Sequence, residues 1–126
     1  MIVGLGIDVA EVARIARLLE KPLAARFLAR VFTPGEIAYC DRRRDRATRY
    51  AARFAAKEAT FKALGVPEGI RHLDVEVARA EGAPRLVLCG VADRAARALG
   101  VNRVHLTLTH DAGVAVAAVI LEADSS

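Results

Sequence analysis

Residues 47 to 64 contain neither glycine nor proline, are rich in Ala, Arg and Lys, and are closed by Gly65 with Pro67 beyond. Ala and long unbranched side chains favour helix, and glycine just past the last turn is a common stop, so a long α-helix is fixed here. At about 100° per residue, Ala51, Phe54, Ala55, Glu58, Phe61, Lys62 and Gly65 share an arc of roughly 120° with Glu58 at its centre. Arg49, Arg53 and Ala56 point the other way. A face of Ala and Phe is one that a helix normally buries, and an unpaired carboxylate there costs several kcal/mol. Glu58 therefore needs a partner.

Lys62 stands four residues on, the favourable orientation for a helical ion pair, which contributes roughly 0.2–0.5 kcal/mol when exposed. A solvated pair belongs on a polar face, whereas this one interrupts an apolar one. A carboxylate and an ammonium projecting from such a face suit a metal ion and a phosphate better than a core.

The chain of 126 residues is long enough for one domain, residues 1–126, with a core of its own. No apolar run reaches the roughly 18–20 residues of a membrane span, and the first residues lack the basic start and apolar middle of a signal peptide. A cytoplasmic location is expected, with no membrane partner. Cys40 and Cys89 lack ligand spacing and read as reduced thiols. The net charge of +4 is unevenly spread: residues 1–65 hold 13 Lys and Arg against 7 Asp and Glu, and residues 66–126 hold 6 against 8. A basic first half points to an acidic partner: nucleic acid, an acidic protein or a phosphorylated small molecule.

In chain order, Ile2 to Ile7 is a run of strand length, with Gly4, Gly6 and Asp8 on one side. The glycines leave that side bare for a close approach by backbone or ligand. Asp8-Val9-Ala10-Glu11 also has the form of a helix N-cap, so Asp8 is either a cap or a site carboxylate. Val12, Ile15, Ala16 and Leu19 form the stripe of an amphipathic helix with Arg14, Arg17 and Lys21 off it, ended by Pro22, and a short helix from Leu23 to Arg30 adds Arg26. Thr33-Pro34-Gly35-Glu36 is a strong helix start, for a helix running to about Cys40. Asp41 to Arg46 reads as a solvated, flexible connector.

Leu73, Val75 and Val77 alternate with polar residues as a strand, Glu81 to Pro84 turns, and Arg85 to Cys89 returns. Val91 to Leu99 is a helix closed by Gly100. Val104, Leu106 and Leu108 alternate along a strand whose apolar face His110 continues, the chain turns at Asp111-Ala112-Gly113, and Val114 to Leu121 reads as a central strand. Residues 122–126 are expected to fray. His72 and His105 carry no signal beyond ordinary structural histidines. The order β, α, α, α, α, β, β, α, β, β implies an α+β fold with a mostly antiparallel sheet around the long helix.

Gly4-x-Gly6-x-Asp8-x5-Arg14, Phe54-Ala55-Ala56-Lys57-Glu58-Ala59-x2-Lys62-Ala63-Leu64-Gly65 and Thr109-His110-Asp111, in that order over almost the whole chain, resemble the holo-acyl-carrier-protein synthases, the small 4′-phosphopantetheinyl transferases. The resemblance implies the phosphopantetheinyl transferase fold and transfer of 4′-phosphopantetheine from coenzyme A to a serine of an acidic acyl carrier protein. Adenosine 3′,5′-bisphosphate leaves, magnesium is the metal, and a homotrimer with sites between subunits is expected.

By the same resemblance Asp8 and Glu58 are the metal ligands and Lys62 contacts the coenzyme A phosphates. Glu58 is the expected base, directly or through a metal-bound water, a choice the residues leave open. His110 is expected at a coenzyme A phosphate and within the catalytic set, with Arg53, Gly65, Pro84, Thr109 and Asp111 among the coenzyme A contacts. Thr109 replaces a frequent serine and keeps the hydroxyl. Arg14, Arg17, Lys21 and Arg26 suit the docking of an acidic carrier, an effect felt mainly in on-rate. Two rivals remain at this level: a nucleic-acid-binding domain, disfavoured by the absence of Trp and the few aromatics, and a non-catalytic assembly protein with Glu58 and Lys62 as a buried structural pair.

Overall fold

A computed structural model describes residues 1–79 and 82–124. The long helix, α4 (Arg46–Ala63), lies against a strand β1 (Ile2–Glu11) and a hairpin of β4 (Val101–Asp111) and β5 (Val114–Ala123). These strands form an antiparallel sheet in the order β1-β5-β4, so the apolar run of β5 is indeed the central strand. Three short helices, α1 (Val12–Leu19), α2 (Ala24–Val31) and α3 (Pro34–Asp41), precede α4. A 3-10 turn (His72–Asp74), a second hairpin of β2 (Val75–Arg79) and β3 (Pro84–Leu88), and α5 (Gly90–Ala98) follow it. The fold is α+β, but β2 and β3 form a sheet of their own rather than joining the first. Among the described residues no helix is long and apolar enough to cross a membrane.

The ends of α4 form as their residues dictate. Gly65 takes φ +80° and its N–H bonds the Lys62 carbonyl at 3.1 Å, while the Val66 N–H reaches the Phe61 carbonyl at 2.7 Å. That is a Schellman stop, and it requires the left-handed conformation that glycine adopts without strain. At α3, Thr33 and Glu36 make the reciprocal capping box that their spacing predicts. The β4–β5 hairpin turns through Ala112 and Gly113, both at positive φ, the two-residue geometry that matches strand twist.

Gly4 and Gly6 bring β1 onto the backbone of α4. A Cβ on Gly6 would overlap the Ala59 carbonyl, and one on Gly4 the Ala63 carbonyl. The helix thus sinks into the sheet over Ala115, Ala117, Val119 and Leu121 of β5, all fully buried. Gly6→Ala is expected to destabilise the fold at the upper end of the usual overpacking cost of about 1–3 kcal/mol. Urea unfolding that gives wild-type stability would contradict this contact.

Four expectations are corrected here. Asp8 caps no helix, because β1 continues to Glu11 and α1 starts at Val12 without a side-chain cap. The connector at 41–46 shrinks to a turn, since Asp41 ends α3 and Arg46 starts α4, and the two pair at 2.9 Å. Glu122 and Ala123 extend β5, whose edge the N-terminal ammonium meets at the Ala123 carbonyl, 2.6 Å away; residues 125–126, like Glu81 of the expected turn, lie outside the described residues.

The fourth concerns α4 itself. Tyr50, Ala51, Ala52, Arg53, Ala55, Ala56, Lys57, Ala59, Thr60 and Ala63 are buried, while Phe54, Glu58 and Phe61 are half-buried and Lys62 is exposed. The arc around Glu58 is therefore the open strip of a helix covered nearly all round. An Ala-rich helix carries no apolar stripe to mark its buried side, and sheet, α1, α3 and β2 together cover the rest.

Candidate active site

Two clusters flank α4. The strand register Asp8↔Ala117↔Leu108 and Ala10↔Ala115↔His110 places Asp8 and His110 on the helix-covered face, at opposite edges of the sheet. The period of two along each strand fixes this placement. α4 lies between these edges.

On the β1 side, Lys62 Nζ bonds Asp8 Oδ1 and the Ile7 carbonyl, each at 3.0 Å. Lys62 remains half exposed while Asp8 is largely covered. Glu58, one turn before Lys62, does not pair with it. Its Oε2 lies 2.9 Å from His72 Nε2. The buried structural pair of the assembly reading is thus absent from these positions. It occurs one residue earlier: Lys57 Nζ is 2.8 Å from Glu36 Oε1, both side chains fully buried.

Lys57 also donates to the carbonyls of His72, at 3.0 Å, and Val75. Glu36 accepts from the N–H groups of Thr33 and Val77, at 2.8 Å each. Burial pulls the Lys57 ammonium below its ordinary pKa, and the Glu36 carboxylate works against that shift.

On the β4 side, a cavity of about 370 Å³ is lined by Thr48, Arg49, Arg53, Arg79, Pro84 and His110, among others. Arg53 is buried, its Nε finds no hydrogen-bond partner among the described residues, and its guanidinium lies 4.2 Å from the centre of the Tyr39 ring. Arg79 donates to the Tyr39 hydroxyl at 3.0 Å. Burial pushes the Tyr39 phenol up, but Arg49, Arg79, Arg43 and Arg53 together draw it below its ordinary pKa. Such a field suits an anion.

Of the remaining expected residues, Thr109 points to the opposite face of the sheet from His110 and is exposed. Asp111 is exposed, and its Oδ1 accepts the Ala112 N–H at 2.9 Å, so it serves its own turn. Gly65 closes α4 one residue past its cap. Arg14, Arg17, Lys21 and Arg26 are all exposed, along α1, the following turn and α2. Arg14 borders a groove of about 280 Å³ that Val9, Leu18, Phe27 and Phe54 line. The sequence reading missed Arg49 and Arg79 as cavity residues, Tyr39 as the ring their charges act on, and His72 as the partner of Glu58; the excess of Arg in the first half was a trace of Arg49 alone.

An α+β scaffold with two carboxylates and a lysine on one flank of a buried helix, and a basic cavity on the other, suits phosphate-bearing ligands. The model of the 4′-phosphopantetheinyl transferase superfamily matches residues 4–118. A holo-[acyl-carrier-protein] synthase of Anaeromyxobacter sp. (strain K) is 73% identical over 124 residues, covering 97% of each chain. The solved structure of the Helicobacter pylori holo-[acyl-carrier-protein] synthase in complex with coenzyme A aligns at TM-score 0.79 and 30% identity, over 94% of this chain and 99% of that one. That of a Bacillus anthracis holo-(acyl-carrier-protein) synthase in complex with CoA (3′,5′-ADP) aligns at 0.78 and 33% identity, over 98% and 99%. The chain belongs to the 4′-phosphopantetheinyl transferase superfamily and, within it, to the holo-[acyl-carrier-protein] synthases, which are enzymes.

Proposed function

We propose that residues 1–126 act as one domain that transfers 4′-phosphopantetheine from coenzyme A to a serine of an acidic apo acyl carrier protein, with magnesium, releasing adenosine 3′,5′-bisphosphate. The observation that carries this reading is the placement of Asp8, Glu58 and Lys62 along the open flank of α4 in a chain of this family. The coenzyme A complexes of the Helicobacter and Bacillus proteins support the donor.

Asp8 and Glu58 fit magnesium. No group of three or more His, Cys, Asp and Glu gathers among the described residues, and magnesium takes only one or two carboxylates, keeping waters and substrate phosphates. The Lys62 ammonium at Asp8 Oδ1 already occupies a cation's place beside that carboxylate. When bound, magnesium neutralises the pyrophosphate and polarises the phosphorus under attack.

The serine Oγ attacks the β-phosphorus of coenzyme A. The Oγ–P bond forms as the P–O bond to the adenosine bisphosphate breaks, the electron pair leaving on the α-phosphate oxygen. Glu58 takes the serine proton. Lys62, tethered among the described residues by Asp8 and the Ile7 carbonyl, turns to the charge building on the leaving oxygen. The cavity of Arg49, Arg53, Arg79, Pro84 and His110 holds the adenosine bisphosphate end. Arg14, Arg17, Lys21 and Arg26 steer the carrier toward the groove at Phe54, one turn from Glu58.

Asp8 and His110 stand at opposite edges of the sheet with α4 between them, an arrangement that favours closing the site with a second copy of the chain. A homotrimer brings the β1 flank of one subunit to the β4 flank of its neighbour, through a head-to-tail contact that closes a ring. The uncovered face of the main sheet supports this assembly, with Leu5, Ile7 and Val9 exposed at 67%, 59% and 58%.

The test is to incubate the protein with coenzyme A, magnesium and an apo carrier protein, then weigh the carrier. A mass gain matching phosphopantetheine is expected, and its absence with folded protein would reject the proposal.

A further inference from the structure

We propose that His72 is a positioning residue that fixes the carboxylate of Glu58, so that Glu58 offers a single oxygen to the cleft. The inference rests on the reading of Glu58 as metal ligand and base. It adds a residue outside the carboxylate and lysine set, one that neither the helical spacing nor the motifs single out.

A glutamate on the open strip of a helix is free to sample several rotamers, and ordering such a side chain costs conformational entropy. His72 Nε2 stands 2.9 Å from Glu58 Oε2, with both side chains about two-thirds buried. An ionised carboxylate only accepts hydrogen bonds, so Nε2 carries the hydrogen. Oε2 is thereby engaged, and Oε1 is the oxygen left to the cleft, with one lone pair for a cation and the other for the proton.

The ring is itself held. It stacks on Phe54 at 5.4 Å between centroids with planes 17° apart, and meets Phe61 at 4.9 Å and 55°. Phe54 and Phe61 lie four residues before and three after Glu58, two of the neighbours of that position on the helix surface. The imidazole is therefore wedged between the side chains that flank the residue it holds.

The backbone is fixed as well. The His72 carbonyl accepts from the fully buried Lys57 Nζ at 3.0 Å. The 3-10 turn that begins at His72 is tied by Asp74, which accepts from the Arg71 N–H at 3.1 Å. One residue of α4 thus pins the loop, and the loop returns a ring to the next residue of α4. Outer partners of this kind orient a ligand, and losing one costs about 10-fold to 100-fold in metal affinity or activity.

Two variants separate positioning from packing. His72→Phe keeps a flat ring between Phe54 and Phe61 but has no N–H. His72→Gln loses the ring and keeps an N–H donor of similar reach. Manganese titrated into the protein at saturating coenzyme A, followed by electron paramagnetic resonance against coenzyme A alone, reads the metal site without turnover.

His72→Phe is expected to weaken manganese binding about 10-fold or more and to lower kcat by a similar factor, with KM for the carrier and the melting temperature near wild type. His72→Gln is expected to melt lower yet bind manganese more tightly than His72→Phe. A purely structural histidine predicts the reverse order of affinity. Wild-type manganese affinity and kcat in His72→Phe, with Glu58→Gln impaired in both, would overturn this inference alone. Wild-type behaviour of Glu58→Gln would overturn the reading of Glu58 beneath it. If His72→Phe fails to fold, His72→Gln decides: manganese affinity reduced as far as that of Glu58→Gln would reject the hydrogen-bond role.

Discussion

Glu58→Gln is expected to lower the rate of carrier modification by about 10³-fold while the protein stays folded. Loss of a general base alone costs typically 10²–10⁴-fold, and the same change replaces a charged metal ligand by a neutral one. The fold is spared because Glu58 is half-buried on the open strip of α4, where among the described residues it bonds the His72 ring alone. The amide oxygen of Gln can accept that same hydrogen bond. Carrier mass against time gives the rate, and a melting curve gives the fold. Activity above a tenth of wild type would remove Glu58 from the chemistry, and collapse of the melting curve would return it to a structural role.

Lys57→Met, one residue away, is expected to do the opposite. It leaves the Glu36 carboxylate fully buried without its cation, and frees the carbonyls of His72 and Val75 from their donor. Breaking a buried pair from one side costs about 3–5 kcal/mol. Urea unfolding measures it directly. Removing both charges with Glu36→Leu is expected to regain part of the loss but not all, because the N–H groups of Thr33 and Val77 then lose their acceptor. A single variant within about 1 kcal/mol of wild type would show that the pair is not needed to hold the 3-10 turn and β2 against the helix.

Adjacent positions with opposite expected phenotypes show what the sequence could reveal. The stop of α4 at Gly65, the capping box at Thr33 and the central place of β5 were legible because each depends on a few neighbouring residues or on one apolar run. Gly4 and Gly6 were legible as a place of close approach, though not what approaches. The order of strands and helices followed from periodicity together with cap, turn and stop residues such as Thr33, Pro22 and Gly65.

The orientation of α4 was not legible, and the cause is physical. With Ala at so many angles, apolar patterning cannot say which side is covered, and the answer depends on elements up to a hundred residues apart. Lys57 and Glu36 each have an ordinary local explanation, and only the fold brings them together. The same holds for His72 and Glu58. The motifs marked Asp8, Glu58, Lys62 and His110, but spacing along a chain does not tell that His110 lies across the helix from the others. The Arg49, Arg53 and Arg79 cavity likewise draws on α4, β2, β3 and β4, which no local pattern connects.

The contact of Gly4 and Gly6 with the carbonyls of Ala63 and Ala59 has a mechanical side. Two strand residues advance about 6.8 Å and four helix residues about 6 Å, so the two backbones mesh like teeth of nearly equal pitch. Neither element can slide without lifting off the other. Asp8 rides on one and Glu58 and Lys62 on the other, so their separation is indexed by main chain rather than by adjustable side chains. The reorganisation left to perform when a charged ligand arrives is confined to the swing of the Lys62 side chain, because the main chain that carries these groups was set during folding.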